Sequence, residues 1–415
     1  MPRPRAVVVL TGSELVRGDK ADANGAFLAR ELTSLGLEPA RILVVGDDPA
    51  VLEQALREGL EADVCVLSGG LGPTHDDRTV ELLARAAGRR LHVDEVLAAE
   101  IEGVARRIAE RIGRPYSDFV PGVRKQASLP AGALSLGLAG TAPAVLLEHD
   151  GRLAVALPGP PNELQRLWPR VLESDALRRV LAGAEAPRRR VLRFFGPSES
   201  AIARVLEEAG GEGDGLEVTV CAHDLEIRVD LLQGVEGTDA AARVEQALRE
   251  EFGEELFAED ERPVAQLVLE RCRALGLTLA AAESCTGGLV SARLTDVAGS
   301  SDVFRGGVVA YSNEAKMRHL GVPAEALERH GAVSAEVAVA MAEGARSELG
   351  ADVGLGTTGI AGPGGGTPEK PVGLVYLSVA SPTGGSTERV VLSGDREAVR
   401  ARATALALHA LRRVL

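Results

Sequence analysis

The stretch AESCTGG, residues 282–288, decides how the last third of this chain folds. It follows a short apolar run, residues 277–282, that is typical of a buried strand, and apolar residues at helical spacing resume at residues 289–294. We therefore predict that Ser284 lies on a turn that lifts its side chain out of a sheet. The free N–H groups of residues 285–288 would form a cradle for an oxyanion or a phosphate.

Two later stretches repeat this pattern of a strand followed by polar or glycine-rich residues. A strand predicted just before Tyr311 leads into a helix that carries Lys316, so that both side chains could face one cavity. Another strand, residues 352–356, leads into a loop of glycine and proline, residues 357–366, that can wrap a phosphate or a ribose. If these loops share one sheet edge with Ser284, they form a single site.

Each of these residues also has an ordinary structural explanation. Ser284 and Thr286 could simply cap a helix, which is the commonest role of Ser and Thr at such a junction. Lys316 alone would be a solvated helix lysine, and Tyr311 a surface aromatic residue. The convergence of three loops on one sheet favours the functional interpretation.

The composition and charge of the chain exclude several classes of protein. With 415 residues the chain is long enough for two or three domains, and its formal charge of -14 gives no overall attraction to nucleic acid or an anionic membrane. No apolar run is long enough for a signal peptide or a membrane-spanning helix. The four cysteines are scattered, which indicates neither a zinc site nor a disulfide framework. We therefore expect a cytoplasmic protein.

The first segment alternates strand and helix patterns. Strands are predicted at residues 6–10, 41–45 and 63–67, and helices at residues 24–35 and 51–60. This alternation predicts a parallel sheet with crossover helices. Polar residues follow each strand, and ligands bind at this edge of such sheets.

The loop SGGLGPTHDD, residues 68–77, is the richest of these strand ends. Its glycines let the backbone approach a phosphate, Thr74 can donate a hydroxyl, and Asp76 and Asp77 could hold a divalent cation. Gly-Pro-Thr followed by Asp is also a good turn and helix start, so a purely structural role is the alternative. Carboxylates follow three separate strands, which favours the functional interpretation: Glu14, Asp47 and Asp77.

These motifs resemble a known family. The loop at residues 68–77 looks like the binding loop of the MoaB/MogA-type molybdopterin-binding fold, and with residues 12–15 and 45–48 it is closest to the amino-terminal domain of the CinA (competence/damage-inducible) family. The resemblance implies a nucleotide pyrophosphatase that hydrolyses ADP-ribose with a divalent metal ion, whose identity it does not indicate. It implies metal or phosphate chemistry at four carboxylates: Glu14, Asp47, Asp76 and Asp77. The pyrophosphatase loop residues that it implies are Ser68, Gly69, Gly70, Gly72, Pro73 and Thr74.

The middle segment reads as a small α+β module of the order βαββα, and the resemblance implies that this module is KH-like. Residues 210–213 match the GxxG spacing of an RNA-binding KH loop. Acidic residues around that loop would repel a phosphate backbone: Glu207, Glu208, Glu212 and Asp214. We therefore predict a spacer or a dimer element rather than an RNA-binding module, and we expect a homodimer.

The last segment resembles the carboxy-terminal CinA domain. The resemblance rests on residues 282–288, 309–316 and 358–365, and it implies deamidation of nicotinamide mononucleotide (NMN) to nicotinate mononucleotide and ammonia without a metal. The predicted catalytic residues are Ser284, Tyr311 and Lys316. The predicted substrate-binding residues lie in the same loops: Glu283, Cys285, Thr286, Gly287, Gly288, Asn313, Thr358, Gly359, Ile360, Ala361, Gly362, Pro363, Gly364 and Gly365.

An acyl intermediate would divide amide hydrolysis into two easier steps. As a hypothesis, Ser284 attacks the carboxamide, and Lys316 or Tyr311 accepts the Ser284 proton. The N–H groups near residues 286 and 287 would hold the oxyanion, and the loop at residues 358–365 the phosphate of the mononucleotide. A lysine can act as a base here only if burial or positive charge lowers its pKa.

Together these interpretations predict a multidomain α/β protein. Residues 1–170 form a MoaB/MogA-like three-layer α/β domain, residues 171–257 a KH-like α+β module, and residues 258–415 an α/β/α deamidase domain. The expected partners are the small-molecule nucleotides NMN and ADP-ribose. Two other functions stay open, namely a nonenzymatic nucleotide-binding adaptor linked to DNA uptake and molybdopterin handling by the first domain.

Overall fold

A computed structural model of the chain describes residues 3–211, 213 and 215–415. The chain divides into two compact units, Met1–Pro187 and Arg188–Leu415. The GxxG loop predicted in the middle segment includes Glu212 and is followed by Asp214, and both of these residues lie outside the described part. No helix in the described part has the length and the apolar character that crossing a membrane requires.

The first unit contains eight strands among its described residues. They are β1 (Arg5–Thr11), β2 (Glu38–Val45), β3 (Val64–Ser68), β4 (Leu91–Val93), β5 (Ser128–Pro130), β6 (Leu134–Leu138), β7 (Pro143–His149) and β8 (Arg152–Leu157). Six of them form one sheet in the order β2-β1-β3-β8-β7-β6, while β4 and β5 pair separately. The strands from β2 to β8 in this order are parallel, as predicted, and β7 and β6 continue the sheet in antiparallel fashion.

Helices cover both faces of this sheet. They are α1 (Ser13–Val16), α2 (Asn24–Ser34), α3 (Pro49–Gly59), α4 (Thr79–Ala86), α5 (Glu95–Ile112), α6 (Val120–Gln126), α7 (Pro161–Leu172) and α8 (Asp175–Leu181). Successive residues of β1 point to opposite faces, so that Val7 lies in one hydrophobic core and Val8 in the other. Helices α3 to α5 contribute to the first core, and α2, α7 and α8 to the second, which gives the predicted three layers.

The first unit extends further than the predicted boundary near residue 170. That position lies inside α7, whose Trp168 is buried in the second core. Helix α8 adds Leu177 to the same core, so the compact unit continues to Pro187. The sequence placed the boundary too early because amphipathic helices beyond the last strand resemble the beginning of a new module.

The second unit starts with the strand that the middle segment was predicted to contain. Its elements are β9 (Arg188–Phe195), α9 (Glu199–Glu208), β10 (Leu216–His223), β11 (Glu226–Gln233), α10 (Thr238–Phe252), β12 (Leu256–Ala258), α11 (Val264–Leu275), β13 (Leu279–Glu283), α12 (Leu289–Thr295), β14 (Phe304–Val309), α13 (Asn313–Leu320), α14 (Ala324–His330), α15 (Ala335–Leu349), β15 (Val353–Gly359), β16 (Leu374–Ser381), β17 (Gly384–Val391) and α16 (Arg396–Val414). The predicted βαββα order is observed, with β12 added at its end.

This unit holds two sheets. The antiparallel sheet β10-β11-β9-β12, with α9 and α10, is called the middle module below, and the sheet β14-β13-β15-β16-β17 with its helices is called the terminal module. The two modules belong to one compact unit, although the sequence suggested separate domains. The ring of His409, on α16, stacks on Phe195 of β9 with centroids 3.8 Å apart, and such contacts join the modules.

The terminal sheet brings three strand ends to one edge. Strand β13 is central, and β14 and β15 flank it in parallel. Glu283, the last residue of β13, pairs with Val309 on β14 and with Thr357 on β15. The chain that leaves each of these strands therefore emerges at the same edge, which is the arrangement that the sequence predicted.

Candidate active sites

Ser284 lies on the turn between β13 and α12, as predicted. Its backbone N–H donates to Thr357 O at 3.0 Å, which ties the turn to β15, and Ala310 N donates to Glu283 O at 2.9 Å on the other side. The Ser284 side chain is 8% exposed. A hydroxyl in this position is held by two neighbouring strands and still reaches the edge of the sheet.

The side chain of Lys316, on helix α13 after β14, reaches Ser284. Its Nζ lies 3.0 Å from Ser284 Oγ and donates to Ala310 O at 2.9 Å. Ser312 caps α13 by accepting from Ala315 N, and this places Lys316 one turn into the helix. The structure therefore brings together two of the three predicted catalytic residues, which are 32 positions apart.

Burial changes the acid–base character of Lys316. Its side chain is 2% exposed, and no carboxylate in the described part of the chain forms an ion pair with it. Burial lowers the pKa of Lys316, because the charged ammonium loses its hydration. A lysine in this environment is suited to accept a proton from the serine hydroxyl.

Cys285 is a poor competitor for the role of nucleophile. Burial raises the pKa of its thiol to about 12, so the thiol stays protonated at neutral pH. A Cβ atom at Gly359 would lie 3.1 Å from the sulfur, which shows how tightly the thiol is enclosed by β15. Cys285, which was predicted to contact substrate, instead packs into the interior with Ala361 and Val375.

The turn after Ser284 offers backbone N–H donors. In the part of the chain that the structure describes, the N–H groups of Cys285, Thr286 and Gly287 donate to no protein oxygen, although the first two form hydrogen bonds with the Cys285 sulfur. Gly287 has a φ of 60°, a left-handed conformation that glycine adopts at little cost. The Thr286 hydroxyl lies 2.8 Å from Thr357 Oγ1 and fixes the turn on β15. These N–H groups are candidates for an oxyanion hole.

The Glu283 carboxylate, which was predicted to contact substrate, points into the protein and bonds to α12. Its side chain is fully buried, and its carboxylate oxygens accept hydrogen bonds from Gly288 N, Val290 N, Ser291 N and Ser291 Oγ. The carboxylate thus satisfies the first N–H groups of α12 and complements the positive end of its dipole. The sequence did not indicate this direction, because a strand that is buried on both faces has no polar alternation to show which way Glu283 points. Neither Ser284 nor Thr286 caps this helix.

Glu283→Gln is expected to destabilise the second unit by about 2 kcal/mol, because an amide replaces one acceptor oxygen with a donor that faces backbone N–H groups. The single tryptophan, Trp168, lies in the first unit, so its fluorescence reports that unit, whereas far-UV circular dichroism reports both. Denaturant unfolding should therefore shift in the circular dichroism trace and not in the tryptophan trace. The exposed pair Glu325–Arg329 supplies the control variant Glu325→Gln, which should leave both traces unchanged.

Tyr311 lies at the rim of this site and not beside the nucleophile. It is 62% exposed, and its hydroxyl accepts a hydrogen bond from Arg396 Nη2 at 2.8 Å. Arg396 Nη1 also donates to Gly362 O at 2.7 Å. The predicted catalytic residue Tyr311 is thus linked to the glycine-rich loop, and Asn313, another predicted contact, lies exposed at the start of α13.

Two arginines of α16 were not predicted to belong to the site. Arg400 donates to Cys285 O at 3.2 Å and to Thr286 O at 3.0 Å, and Arg396 bridges Tyr311 and Gly362 as described above. The two residues are one helical turn apart, which aligns them on one face of α16. Arginines on a terminal helix normally lie on its solvent-exposed face, so the sequence did not assign them to the site. Their spacing of four residues was the one pattern that could have indicated a shared role.

The glycine-rich loop starts three residues later than predicted, because β15 continues to Gly359. Thr358 and Gly359 belong to β15, and the Thr358 hydroxyl donates to Ala332 O at 2.7 Å. Lys370 Nζ anchors the far end of the loop by donating to His330 O and Val333 O. The remaining predicted residues form the loop itself: Ile360, Ala361, Gly362, Pro363, Gly364 and Gly365.

The first unit has a cavity of about 320 Å³ at the carboxyl ends of its parallel strands. All four predicted carboxylates line it: Glu14, Asp47, Asp76 and Asp77. Ser68, Gly69 and Gly70 line it too, and so do Lys20 and Asn24, which were not predicted. No sequence pattern indicated Asn24, because its position at the start of α2 shows no link to the strand ends.

Hydrogen bonds hold the carboxylates in two groups. Asp47 accepts from Ser13 Oγ at 2.6 Å and from Thr11 Oγ1 at 3.3 Å. On the other side, the Thr74 hydroxyl lies 2.5 Å from Asp76 Oδ1 and 2.5 Å from Asp77 Oδ2, and the hydrogen bond from Thr74 holds the pKa of Asp76 below its usual value. The Thr74 hydroxyl is therefore a shared hydrogen-bond partner of the two aspartates.

Some predicted loop residues have structural roles. Ser68 accepts from Asn24 Nδ2 at 2.9 Å and donates to Pro158 O. A Cβ atom at Gly69 would clash with Thr11 O, and one at Gly70 with Thr79 Oγ1, so these glycines are required by close packing. Gly72 approaches Asp77 in the same way, and Pro73 contacts Gly122 of α6. Close packing thus fixes Ser68, Gly69 and Gly70, which line the cavity, whereas Gly72, Pro73 and Thr74 do not line it.

The donor set suits a hard divalent cation. Carboxylate and hydroxyl oxygens are the ligands that such ions prefer, and Mg²⁺ usually takes one or two carboxylates together with water and substrate phosphate. In the described ranges, no three Asp, Glu, His or Cys side chains form a ready-made cage. The cavity therefore fits an open site that phosphate oxygens complete, and it does not fit a closed structural metal site.

Comparisons with known proteins find a matching family model within each of the two units. A family model described as "Probable molybdopterin binding domain" matches residues 7–179, and one described as "CinA C-terminal domain" matches residues 261–415. A "CinA-like protein" of Mycolicibacterium paratuberculosis is 44% identical over 432 residues, covering 99% of this chain and 98% of that protein. One from Mycobacterium tuberculosis is 42% identical over 422 residues, covering 99% and 97%. A solved competence/damage inducible protein from Agrobacterium tumefaciens is 39% identical and covers 38% of this chain and 99% of its own, with a TM-score of 0.36.

Proposed function

The chain belongs to the CinA family, and we propose that its terminal module hydrolyses the amide of NMN to nicotinate mononucleotide and ammonia. The observation that carries the proposal is the buried contact of 3.0 Å between Lys316 Nζ and Ser284 Oγ. A serine hydroxyl next to a desolvated amine is an activated nucleophile, and acyl transfer is the chemistry that it performs.

The attack uses the groups that surround Ser284. Lys316, as a neutral amine, accepts the hydroxyl proton while Ser284 Oγ bonds to the carboxamide carbon. The carbonyl oxygen gains negative charge and accepts hydrogen bonds from the N–H group of Gly287 and, in place of the Cys285 sulfur, from that of Thr286. Ala310 O keeps the amine oriented by accepting one of its other N–H groups.

The remaining steps reuse the same amine. The protonated Lys316 transfers its proton to the departing nitrogen, so that ammonia leaves and an acyl ester remains on Ser284. Lys316 then accepts a proton from water, which attacks the ester and releases nicotinate mononucleotide. The proton that Lys316 gained returns to Ser284 Oγ, and the enzyme is restored.

The phosphate of NMN would bind at the glycine-rich loop. Backbone N–H groups of such a loop suit a phosphate, and Arg396 places a guanidinium beside Gly362 and Tyr311. Tyr311 therefore contributes to binding through its contact with Arg396. Lys316, and not Tyr311, is the proposed base.

A turnover assay separates this proposal from a nonenzymatic adaptor. Purified protein and NMN should release ammonia in proportion to time and enzyme, with nicotinate mononucleotide as the matching product. An adaptor would bind NMN and release no ammonia. Binding without turnover across neutral and mildly alkaline pH would reject the deamidase proposal.

For the first unit we propose hydrolysis of the pyrophosphate of ADP-ribose. The supporting observation is the cavity that four carboxylates and the start of the glycine loop line at one sheet edge. Asp76 and Asp77 would hold a divalent cation together with water and substrate phosphate, and the cation would supply charge neutralisation and an activated water, while Asp47 lies at the same cavity in the other group. Thr74 orients the two aspartates, and Lys20 brings a positive charge to the phosphates at the cavity wall.

Asp77→Asn is expected to lower ADP-ribose hydrolysis by about 100-fold, because a neutral amide is a weaker cation ligand and no longer accepts both hydrogen bonds from Thr74. A chelator should have the same effect on the unchanged protein, while NMN deamidation continues in both experiments. Asp150→Asn, in the turn between β7 and β8, is the matched control and should hydrolyse ADP-ribose normally. Full activity of Asp77→Asn would remove this residue from the site.

Molybdopterin handling is the rival function of the first unit. Its family model is named after that ligand, and the same cavity could accept a phosphorylated pterin. Competition binding distinguishes the two. ADP-ribose should bind and be hydrolysed, whereas tight molybdopterin binding without ADP-ribose turnover would favour the rival.

A further inference from the structure

The hairpin that joins β10 and β11 in the middle module ends in an unusual turn. Its two turn residues, Asp224 and Leu225, have φ values of 48° and 69°. Two consecutive positive φ values are typical of a type I′ turn, where Asn and Gly are the usual residues. Leucine in the left-handed region costs conformational free energy, and such outliers persist where the surrounding contacts hold them. The contacts of this turn therefore call for an explanation.

The first contact joins the turn to the helix that follows the nucleophile. Asp224 Oδ2 accepts from Arg293 Nη2 at 2.9 Å, and the Asp224 side chain is 12% exposed. Arg293 belongs to α12, whose first N–H groups are bound by the Glu283 carboxylate. Asp224 thus holds one end of a short helix whose other end holds the Ser284 turn.

The second contact joins the same hairpin to α16. Glu226 Oε1 lies 3.0 Å from His409 Nε2, and Glu226 Oε2 accepts from Arg193 Nη2 at 2.7 Å. His409 is fully buried, with its ring between Phe195 and Phe257. Helix α16 is the helix that presents Arg396 and Arg400 to the candidate active site.

Burial lowers the pKa of His409, so at neutral pH the imidazole is a hydrogen-bond partner of Glu226, and Arg193 supplies the positive charge. Burial by itself raises the pKa of Glu226, but the contacts with His409 and Arg193 outweigh it and lower that pKa overall. An ionised carboxylate with two directed partners holds a helix in one register better than an apolar contact does. The hairpin therefore contacts both helices that pack around the Ser284 turn, α12 through Arg293 and α16 through His409.

We propose that the hairpin tip, residues 223–226, positions the active site of the terminal module. Asp224 acts through Arg293 on the Ser284 turn, and Glu226 acts through His409 on the helix that carries Arg400. Neither residue touches substrate, so both are positioning residues. The proposal rests on the proposed deamidation, and it assigns to the middle module a role in that reaction in place of nucleic-acid binding.

Asp224→Asn and Glu226→Gln in the full-length protein test this role. Each is expected to lower kcat for ammonia release from NMN by about tenfold with KM changed less than twofold, because small displacements of a nucleophile reduce the rate more than binding. Hydrogen exchange at residues 285–291 should become faster in the same variants. ADP-ribose hydrolysis by the first unit should stay unchanged.

Asp230→Asn is the matched control. Asp230 lies on the same strand as Glu226, is 15% exposed, and forms ion pairs with Arg189 and Arg228, which both belong to the middle module. It should change neither kcat nor exchange at residues 285–291. A double-mutant cycle adds a second check, because Arg293→Gln should cost as much as Asp224→Asn and the double variant should lose no more than either alone.

The outcomes separate this proposal from the proposed function. If the unchanged protein releases no ammonia, the deamidase proposal fails, and the exchange measurement still decides the positioning role. Faster exchange at residues 285–291 in Asp224→Asn but not in Asp230→Asn supports it. Unchanged exchange and kcat in Asp224→Asn and Glu226→Gln would overturn it, and so would equal loosening of the whole second unit, which indicates a purely structural contact.

Discussion

Ser284→Ala is expected to reduce ammonia release from NMN by about 10⁴-fold or more, since removal of the nucleophile from a cooperating set removes nearly all of its catalysis. The side chain is small and 8% exposed, so alanine fits without disturbing β13 or α12. ADP-ribose hydrolysis should remain within twofold of the unchanged protein, because it belongs to the first unit. Both rates are measured on one sample, by ammonia detection and by AMP formation.

Ser347→Ala is the control for that experiment. Ser347 lies on α15 in the same unit and donates to Gly344 O, away from the proposed site. It should deamidate NMN at the normal rate. A rate for Ser284→Ala within tenfold of the unchanged protein would end the assignment of the nucleophile, whereas loss of both activities together would indicate misfolding.

Lys316→Met is expected to lower kcat for deamidation by about 10³-fold, within the range that a positioned base contributes. Methionine fills the buried space of the lysine stem and removes the amine.

The pH dependence of deamidation provides a sharper readout of the role of Lys316. Lys316 accepts a proton only when neutral, so the rate should rise with pH through the pKa of Lys316 and then level off. Because burial lowers that pKa, the rise should occur at a lower pH than for an ordinary lysine. The residual rate of Lys316→Met should lack this rise.

Tyr311→Phe distinguishes the two bases that the sequence left open. The Tyr311 hydroxyl contacts Arg396 and is exposed, so its loss should change KM more than kcat and leave the pH profile intact. A large loss of kcat in Tyr311→Phe together with a normal pH profile in Lys316→Met would reverse the assignment.

The local patterns around Ser284 were sufficient to predict the strand, the turn and the helix. Apolar residues 277–282 correspond to β13, which covers Leu279–Glu283, and helical spacing from residue 289 corresponds to α12. The rule that parallel strands end at one edge then predicted that Lys316 and the glycine-rich loop would lie near the serine. The same rule brought Glu14, Asp47 and Asp77 to one cavity in the first unit.

Side-chain direction was the main source of error. Glu283 and Ser284 are neighbours in sequence, yet one caps a helix from inside the protein and the other reaches the site. Local composition does not distinguish them, because the choice depends on which buried N–H groups need an acceptor. Arg400 raises the same difficulty over a longer distance, since its partners, the carbonyls of Cys285 and Thr286, lie more than 110 positions away.

The sequence by itself determined the layered α/β architecture, the strand ends that carry polar residues, and the family to which the chain belongs. These features follow from periodicity and from motifs a few residues long, which act through neighbouring positions along the chain. The tertiary structure alone decided that Lys316 is buried against Ser284 and that α16 contributes two arginines to the candidate active site. It also decided that the middle module contacts α12 and α16 of the terminal module. Those properties depend on burial and on contacts between distant segments, because desolvation and hydrogen bonding are set by what surrounds a group in space.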